Sequence, residues 1–338
     1  MTSSSESAAG SLADPPTLES LQGPLDGGLD RVMDHIRHVV LSDFGGMDEV
    51  NDYLLTVRGK LFRPMLTLLS NHVGGRPDDR AVSLAAVVEL VHLATLVHDD
   101  AVDHSVLRRG QPTINALWTH QVAIIMGDYL YSRAVAEMAR VGVMEAVGII
   151  GAAASSMSVG EMRQLTSYDA LDFSEQDYDR LIAAKTASLM AAACEIGAVV
   201  GVPEYRAPLR RFGHNLGMAF QIADDLLDYT GTAAETGKPS GHDLRERKVT
   251  LPLVAALRHV TDAEMAEIRA MFTGEGEPLD EEIHRVMEIV EARGGLDYAR
   301  GRAAGFAAAA EEALSEVADD DARRGLEACV TYATRRSR

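Results

Sequence analysis

Three long segments of this chain are rich in alanine and leucine and carry apolar side chains around most of their circumference. They span residues 81–100, 114–141 and 181–201. A helix that is apolar on all sides must be surrounded by other helices, because a surface helix needs only one apolar stripe. Glycine and proline cluster between the segments, and no alternating strand pattern or repeat interrupts them. The sequence therefore predicts an all-α fold, a single large bundle of ten or more helices.

The N-terminal stretch has a different composition. Residues 1–27 are rich in Ser, Ala, Gly and Pro and lack the basic and apolar parts of a secretory signal. We expect a disordered lead over 1–27 and one all-α domain over 28–338. No apolar run approaches the ~18 residues that span a bilayer, so no transmembrane segment is predicted. Two cysteines, Cys194 and Cys329, are too few for a disulfide framework, which favours a cytoplasmic location.

The chain is strongly acidic. Its 32 basic and 51 acidic residues give a formal charge of −19. A charge of this sign argues against nucleic acid and against an anionic membrane surface as partners. An anionic substrate would need local basic residues or bound cations in order to approach the protein.

Two clusters of aspartates follow two apolar helical runs at the same relative spacing. The first contains Asp99, Asp100 and Asp103, and the second contains Asp224, Asp225 and Asp228. Residues three and four apart share one face of a helix, so carboxylates at this spacing repel one another. A single cluster of this kind is usually a solvated helix end, although the macrodipole disfavours it there. Two copies of one unfavourable pattern indicate instead that both clusters bind a common ligand.

Oxygen-only ligands favour hard cations, and Mg²⁺ typically takes one or two carboxylates together with water and substrate phosphate. Basic residues that can bind phosphate lie near both clusters. They are Lys60, Arg63, Arg108, Arg109, Lys185, Lys238 and Lys248. The sequence therefore predicts a site for Mg²⁺ and two diphosphates.

In these motifs the sequence resembles the trans-polyprenyl diphosphate synthases, which elongate allylic diphosphates with isopentenyl diphosphate. The resemblance runs from about residue 29 to the C-terminus. Besides the two aspartate-rich motifs it includes RGKLFRP at 58–64, GEMRQL at 160–165, KTASL at 185–189 and GKPSGHDLRERKVTLP at 237–252. Three residues depart from the family pattern: Arg58 and Arg247 stand where glycine is usual, and Leu61 stands where arginine is usual. The resemblance implies an isoprenoid synthase type of bundle around a deep central cavity, usually in a homodimer.

The resemblance also implies a role for each matched residue. About three Mg²⁺ ions would be held on the allylic diphosphate by Asp99, Asp100, Asp103, Asp224 and Asp228. Isopentenyl diphosphate would be bound by Lys60, Arg63, His92 and Arg109. The allylic substrate would be a dimethylallyl, geranyl, farnesyl or geranylgeranyl diphosphate, contacted by Arg108, Lys185, Lys238 and Lys248. Thr186 and Gln221 would line the site of the allylic cation, and Asp225 completes the catalytic set.

Product length is implied by the residues just ahead of the first motif, which form the floor of the product cavity in the family. Ala94 and Thr95 are small, whereas short-chain synthases carry a bulky aromatic residue near this point. We expect an open floor and an all-trans product longer than C20, with C15 or C20 as the alternative. Deeper residues that would set the final stop are Met126, Tyr129, Tyr131 and Met138.

Other classes of protein fit parts of the pattern. An HD-type metal phosphohydrolase would use His92, His98 and Asp99, but it leaves the second cluster unexplained. A terpene cyclase shares one aspartate motif, but it has no site for a second diphosphate. A regulatory subunit of a heteromeric prenyl synthase would lack aspartates or basic residues that this chain retains. A purely structural bundle would need neither cluster.

Overall fold

The structure is a computed structural model, and it describes residues 17–56, 59–108, 110–166, 170–231 and 240–334. Its first helices are α1 (Leu18–Leu21), α2 (Gly28–Val39), α3 (Gly45–Thr56), α4 (Phe62–His72), α5 (Arg80–Val102), α6 (Ile114–Leu117), α7 (His120–Val141) and α8 (Met144–Thr166). They are followed by α9 (Glu175–Ile182), α10 (Ser188–Gly201), α11 (Arg206–Thr230), α12 (His242–Arg245), α13 (Leu251–Ala256), α14 (Asp262–Thr273), α15 (Asp280–Ala292), α16 (Gly295–Leu314) and α17 (Asp321–Thr334). The predicted all-α fold of ten or more helices is confirmed.

Short elements connect these helices. Turns of 3₁₀ helix lie at Gly23–Leu25, Val73–Gly75, Ala170–Asp172 and Pro203–Tyr205, and a π-helix lies at Ala183–Ala187. An antiparallel hairpin of β1 (Leu107–Arg108) and β2 (Gln111–Pro112) joins α5 to α6. The hairpin immediately follows the first aspartate cluster, so it determines where the basic residues after that cluster lie.

Helix α5 is the centre of the bundle. It packs against α2, α4, α7, α8 and α10, and Leu84 and Val88 on it are fully buried. His92, Thr95 and Asp99 lie on one face of α5, and they are only half-buried in spite of this central position. This face of α5, the cleft face, is therefore partly accessible to solvent.

Glycines allow α10 and the π-helix before it to approach their neighbours closely. A Cβ atom at Gly201 would lie 2.5 Å from the carbonyl oxygen of Asn71 on α4. A Cβ atom at Gly217 on α11 would lie 2.5 Å from the Cα atom of Ala187. Backbone atoms cannot rotate out of the way as side chains can, so neither position admits a side chain unless a helix moves. The spacing of α4, α10 and α11 is therefore fixed by backbone contact.

Side chains of α7 hold the end of α2. Glu137 is buried, and its carboxylate contacts His35 at 2.5 Å and accepts hydrogen bonds from Arg140 at 2.8 and 2.6 Å. Burial raises the pKa of Glu137, but the hydrogen bonds from Arg140 and His35 outweigh it, and the net pKa is below its ordinary value. Arg133 donates to the carbonyl oxygen of Val39, which is the last residue of α2. Helices α2 and α7 are therefore joined by an ion-pair network.

The second part of the bundle has its own apolar cluster. Residues of α11 to α16 form it, including Leu244, Leu253, Ile268, Ile283 and Ile289. Helix α16 packs along α11 and connects this cluster to the main core. The organisation as a single domain stays a prediction.

The predicted disordered lead is too long. Residues 1–16 lie outside the described part of the chain, but a helix begins at Leu18, and Leu21 and Leu25 are buried in the main core. These two leucines are four residues apart and α1 packs against α17. The prediction of disorder relied on the Ser- and Gly-rich composition around these leucines and gave no weight to the apolar pair. It is wrong for residues 17–27.

Two stretches are long and apolar enough to cross a membrane, namely Arg80–Val102 and Glu175–Gly201. The expectation that no apolar run approaches the length of a membrane span is therefore wrong, because both stretches have the required length and apolar composition. However, 61% and 67% of their most apolar windows are buried inside the bundle. Core helices of globular proteins pass the same test, so these stretches are weak indications of a membrane span.

Two of the departures from the family pattern adopt left-handed backbone, with φ of 50° at Leu61 and 53° at Arg247. This conformation costs about 1–2 kcal/mol for a residue other than glycine. The cost is a physical reason for the glycine that the family pattern has at position 247. The guanidinium of Arg247 compensates by donating to the carbonyl oxygens of Met271, Gly274 and Gly276 at 3.2, 2.8 and 2.8 Å. The loop after α12 is thereby tied to the end of α14.

Candidate active site

The first aspartate cluster lies at the C-terminal end of α5. Asp99 and Asp103 are one turn apart, and Asp103 is the C-cap residue of the helix. Burial raises the pKa of Asp99 to about 6, although the nearby charge of Lys185 lowers it. Glu161 and Asp103 contribute to this raised pKa, and Arg108 opposes it. The protein therefore leaves negative charge at this helix end incompletely neutralised.

Asp100 lies apart from its two neighbours. It is 6% exposed, and its two carboxylate oxygens accept hydrogen bonds from Nε of Arg108 at 2.9 and 2.8 Å. Nη2 of Arg108 also lies 2.8 Å from Oδ1. Consecutive helical residues point about 100° apart, which turns Asp100 away from Asp99 and towards the hairpin. In this structure the two side chains bind each other, and the roles of Asp100 as a metal ligand and of Arg108 as a diphosphate contact stay predictions.

The second aspartate cluster lies in the last two turns of α11. Asp224 is exposed. Asp228 accepts hydrogen bonds from the backbone N–H groups of His242 at 3.1 Å and Asp243 at 3.0 Å, at the start of α12. Asp243 is a third carboxyl group here, and burial together with Asp228 raises its pKa to about 7 in spite of the nearby Lys248. The second cluster thus also holds negative charge that the protein does not fully balance.

Lys248 lies between the two clusters. Its Nζ is 2.8 Å from Glu246 Oε2 and 3.8 Å from Asp103 Oδ2. Because Lys248 follows α12, which Asp228 caps, this contact sets the end of α11 opposite the end of α5. Residues some 125 positions apart in the sequence are brought to one side of the bundle.

Lys185 reaches this region from the π-helix. Its Nζ contacts the carboxylate of Glu161 and donates to Oε1 of Gln164 at 3.1 Å, both on α8. Its charge acts on the pKa of Asp99, which puts the amine near the first cluster. π-helices are rare and frequently occur at functional sites, and this one presents a cation where the anionic groups converge.

Thr186, the next residue of the π-helix, belongs to a chain of hydrogen bonds. It donates to Oε1 of Gln221 at 2.7 Å, and Nε2 of Gln221 donates to Oδ1 of Asp225 at 2.8 Å. Tyr178 donates to Oδ2 of Asp225 at 2.6 Å. Asp225 and Tyr178 are almost fully buried, with 5% and 1% exposure. Asp225 therefore lies beneath the site and does not join Asp224 and Asp228 on their face of α11.

Lys60, Arg63 and His92 form a second basic group, at the start of α4 and on the open face of α5. Nη1 of Arg63 lies 3.0 Å from Nε2 of His92. A guanidinium has no acceptor, so this imidazole nitrogen accepts. Lys60 donates to the hydroxyl of Tyr332 at 3.0 Å and lies 5.6 Å from its ring centre. Three of the four residues predicted to bind isopentenyl diphosphate are thus described, and Arg109 lies outside the described residues, as does Lys238.

The two residues predicted to form the cavity floor differ in direction. Thr95 is four residues before Asp99, which is about 40° around the helix, whereas Ala94 is five residues before it, about 140° around. Accordingly Thr95 is half-buried on the cleft side, and Ala94 is 2% exposed. Among the deeper candidates, Met126 and Met138 are buried in the core. Tyr129 is fixed to the end of α2 by hydrogen bonds to backbone carbonyls.

Two pockets formed by described residues lie elsewhere. One of about 400 Å³ is lined by Leu21, Arg324 and neighbours of α1 and α17, and one of about 140 Å³ is lined by Tyr229, His284 and Glu288. Neither contains an aspartate of the two clusters. The deep central cavity therefore stays a prediction, supported by the half-buried face of α5.

The donor set fits Mg²⁺ bound together with a substrate. In the described ranges no three Asp, Glu, His or Cys side chains gather around one point. A closed protein cage is not what Mg²⁺ requires, because it usually binds one or two carboxylates and completes its shell with water and phosphate. Asp99 and Asp103 on one side and Asp224 on the other are oxygen donors of this kind. Burial is the main cause of the raised pKa of Asp99, and a cation bound beside this carboxylate would favour its charged form.

Four residues of the site were missed in the sequence analysis. GEMRQL had been matched to the family without a role for Glu161 or Gln164, although both contact Lys185. Asp243 lies within the motif GKPSGHDLRERKVTLP, in which the sequence analysis gave roles only to the basic residues. Tyr178 carried no signal, because only the fold brings it to Asp225.

Comparison with known proteins agrees with this geometry. A family model described as polyprenyl synthetase matches residues 46–290. An all-trans-nonaprenyl-diphosphate synthase (geranyl-diphosphate specific) of Rhodobacter capsulatus is 38% identical over 306 residues, covering 85% of this chain and 93% of the relative. A short chain isoprenyl diphosphate synthase of Methanothermobacter thermautotrophicus is 36% identical over 283 residues, covering 82% and 86%. The crystal structure of a polyprenyl synthase from Caulobacter crescentus CB15, complexed with calcium and isoprenyl diphosphate, has a TM-score of 0.89 and 35% identity, covering 96% of this chain and 99% of that one.

Proposed function

Since the chain belongs to the polyprenyl synthetase family, we propose that it condenses isopentenyl diphosphate with an allylic diphosphate to make a long-chain all-trans polyprenyl diphosphate. The observation that carries this proposal is the convergence of the two aspartate clusters. Lys248, which follows the second cluster, lies 3.8 Å from Asp103 of the first. One diphosphate between these groups would meet carboxylate-bound cations and lysines at once.

The residues described here suit the first step, the ionisation of the allylic C–O bond. The diphosphate leaves only if its growing charge is balanced, and bound Mg²⁺ would supply most of that balance. About three ions would be held by Asp99, Asp100, Asp103, Asp224 and Asp228. The Caulobacter relative is complexed with calcium, which is also a divalent cation. Lys185 would contact a leaving oxygen directly, and Glu161 and Gln164 hold its amine in place.

The second substrate would bind at Lys60, Arg63 and His92. Fixed basic groups of this kind position a diphosphate, and positioning alone lowers the barrier of a two-substrate reaction substantially. The double bond of isopentenyl diphosphate then attacks the allylic cation, which forms the new C–C bond and a tertiary cation. This cation loses a proton to the released diphosphate, and the new double bond of the product forms. No protein nucleophile is needed for these steps.

A product longer than C20 is supported by the small side chain of Thr95 on the cleft face and by the nonaprenyl synthase relative. Sequence identity alone does not decide product length, because a short-chain relative is nearly as similar. The two buried cysteines support the reducing environment of the cytoplasm as the location.

Turnover of labelled isopentenyl diphosphate with each allylic starter, in the presence of Mg²⁺, tests the function, with products sized by mass spectrometry. Asp99→Asn and Asp224→Asn should each lower kcat by about 100-fold or more, because a lost cation ligand removes several kcal/mol of charge stabilisation. Asp297→Asn is the control, since Asp297 is exposed on α16 and pairs only with its neighbour Arg300 among the contacts seen. Full turnover by either site variant would contradict the metal role. Failure of the unsubstituted chain with every starter would favour the regulatory-subunit alternative.

We also propose that the chain forms a homodimer through the outer faces of α7 and α8. Ile124 and Val135 are eleven residues apart, hence on one face of α7, and are 42% and 43% exposed; Met144 at the start of α8 is 76% exposed. Exposed apolar groups along two adjoining helices favour burial against another protein surface.

Sedimentation or light scattering gives the test of the dimer. Ile124→Glu with Val135→Glu should yield a monomer, because burying two carboxylates in an apolar interface is unfavourable. Leu279→Glu, at a position that is 66% exposed before α15, should leave the mass unchanged. A monomeric mass for the unsubstituted chain would refute the proposal.

A further inference from the structure

The turn that carries Lys248 contains an arginine in an unusual backbone conformation. The backbone N–H of Arg247 donates to the carbonyl oxygen of Leu244 at 2.9 Å, and that of Lys248 donates to the carbonyl oxygen of Asp243 at 2.8 Å. This pair of bonds is the Schellman motif, which ends a helix and usually has glycine at its left-handed position. Arg247 occupies that position with a φ of 53°. An arginine where glycine fits better indicates that its side-chain contacts offset the strain.

Two arginines of this turn contact one neighbouring segment, residues 271–280, where α14 ends and α15 begins. The guanidinium of Arg247 donates to three backbone carbonyl oxygens, those of Met271, Gly274 and Gly276. Carbonyl groups at the end of a helix lack partners within the helix, and the macrodipole favours a cation there. The guanidinium of Arg245 contacts Glu277 at 3.4 Å and Asp280 at 2.5 Å. Both arginines therefore fix the outer side of the turn to this segment.

The inner side of the turn faces the two aspartate clusters. Nζ of Lys248 lies 3.8 Å from Asp103 of the first cluster, and the backbone of α12, before the turn, donates to Asp228 of the second. The side chain of Lys248 is 38% exposed, so burial alone does not fix its amine. A lysine has a flexible four-carbon stem. The place of the amine beside Asp103 therefore depends on where the turn holds the backbone of Lys248.

We propose that Arg245 and Arg247 are positioning residues that hold Lys248 where it can bind a magnesium-bound diphosphate between the two aspartate clusters. This rests on the proposed function, in which Lys248 contacts that diphosphate. The guanidinium groups contact residues 271–280, so the two arginines act through the turn. A group that is ordered before binding loses less conformational entropy when the ligand arrives. A lysine on a fixed turn therefore binds phosphate more tightly than a lysine on a loose one.

A double-mutant cycle separates this role from simple support of the fold. The probe is inorganic diphosphate with Mg²⁺, and its Kd is measured by calorimetry on the full-length chain. In the unsubstituted chain Lys248→Ala should weaken binding about ten-fold, because a charge-assisted hydrogen bond is lost. In the background Arg245→Ala with Arg247→Gly, the same substitution should weaken binding by less than about three-fold, because the lysine is no longer held in place. Glycine favours the left-handed backbone, so Arg247→Gly removes the guanidinium and keeps the turn.

Arg285→Ala is the matched control. Arg285 on α15 lies 2.7 Å from Glu267 on α14 and is 48% exposed. Its substitution also removes a positive charge and a contact with α14, but at a distance from the turn in sequence. In this background Lys248→Ala should keep its full effect on the Kd. If the background with two arginine substitutions does not fold, as judged by circular dichroism, Arg247→Gly alone takes its place. The effect of Lys248→Ala should again be smaller than in the unsubstituted chain.

Three outcomes overturn the proposal. One is an equal effect of Lys248→Ala with and without the two arginines, which would mean that they only support the fold. The second is an unsubstituted chain whose diphosphate binding is absent or does not depend on Lys248. The third is an equal reduction of the lysine effect by Arg285→Ala, which would indicate a general loosening of α14 and α15. Turnover of isopentenyl diphosphate is measured separately. If it is absent with every starter while the cycle gives the expected result, the proposed function fails and the positioning role stands.

Discussion

Substitution of Gly217 by alanine should impair turnover without touching a substrate group. The added Cβ atom would lie 2.5 Å from the Cα atom and 2.9 Å from the Cβ atom of Ala187. Ordinary carbon–carbon contact requires about 3.5–4.0 Å, so α11 and the π-helix must separate by roughly 1 Å. Gln221 is one turn further along α11 and Thr186 directly precedes Ala187. Their hydrogen bond of 2.7 Å should therefore lengthen beyond the range of a hydrogen bond.

The stability of this variant should fall less than its activity. Overpacking in a core typically costs about 1–3 kcal/mol, and the better helix propensity of alanine offsets up to about 1 kcal/mol of that. A displacement of about 1 Å at a reacting centre, in contrast, can lower the rate by about 100-fold. We expect a modest drop in the thermal midpoint together with a loss of kcat of about that size.

Gly301→Ala is the matched control. Gly301 also lies within a helix, but a Cβ atom there would meet nothing within 4 Å. It should raise the free energy of unfolding by about 0.4–1 kcal/mol and leave kcat unchanged. Thermal unfolding and steady-state turnover of both variants give the comparison. A Gly217→Ala variant with undiminished kcat would refute the reasoning, because it would mean that the contact between α11 and the π-helix does not set the geometry of the site.

Three further predictions concern other parts of the molecule. Thr95→Phe should shorten the product more than Ala94→Phe, because Thr95 lies on the cleft face; equal products, sized by mass spectrometry, would place the floor elsewhere. Arg247→Ala should be less stable than Arg247→Gly by about 1 kcal/mol in urea unfolding, since alanine keeps the left-handed strain and both lose the three hydrogen bonds; the reverse order would contradict the strain. Because the pKa of Glu137 is lower in the folded protein than its ordinary value of 4.5, its ion pairs make their full contribution to stability at any pH well above 4.5. This contribution is lost as the pH falls through the pKa of the folded state. Glu137→Gln should therefore reduce stability at neutral pH and flatten its decline in acid, and an unchanged pH profile would count against the network.

Much of the architecture could be predicted because it depends on local pattern. The period of the apolar residues marks α5, α7 and α10, and glycine and proline mark their ends. The hairpin of two-residue strands carried no such pattern, and the buried leucines of the N-terminal segment were masked by their polar surroundings. Composition describes a window of residues, whereas burial depends on what packs against one side chain.

The site could be predicted where it depends on residue type and not where it depends on direction. The aspartates and lysines were found from charge and spacing. The different surroundings of Asp99 and Asp100 were not, because adjacent residues point to different sides of a helix and only the structure shows that Asp100 contacts Arg108 of the hairpin. Asp243 and Tyr178 act through contacts made across many residues, which a single sequence does not reveal.

The π-helix at Ala183–Ala187 makes the helix less regular, but it fixes the direction in which the residues on either side of it point. A π turn holds one residue more than an α turn, so loss of a single residue, for example Ala184, would leave a continuous helix from α9 to α10 with better hydrogen bonds. That more regular helix would rotate the residues on one side of the deletion by about 100°, separating Tyr178 from Thr186 in direction. It would also remove the close approach of Ala184 to Gly160 on α8. A single extra residue in the helix is a simple genetic change. Here the irregular helix is the one that brings Tyr178, Lys185 and Thr186 to the same part of the molecule.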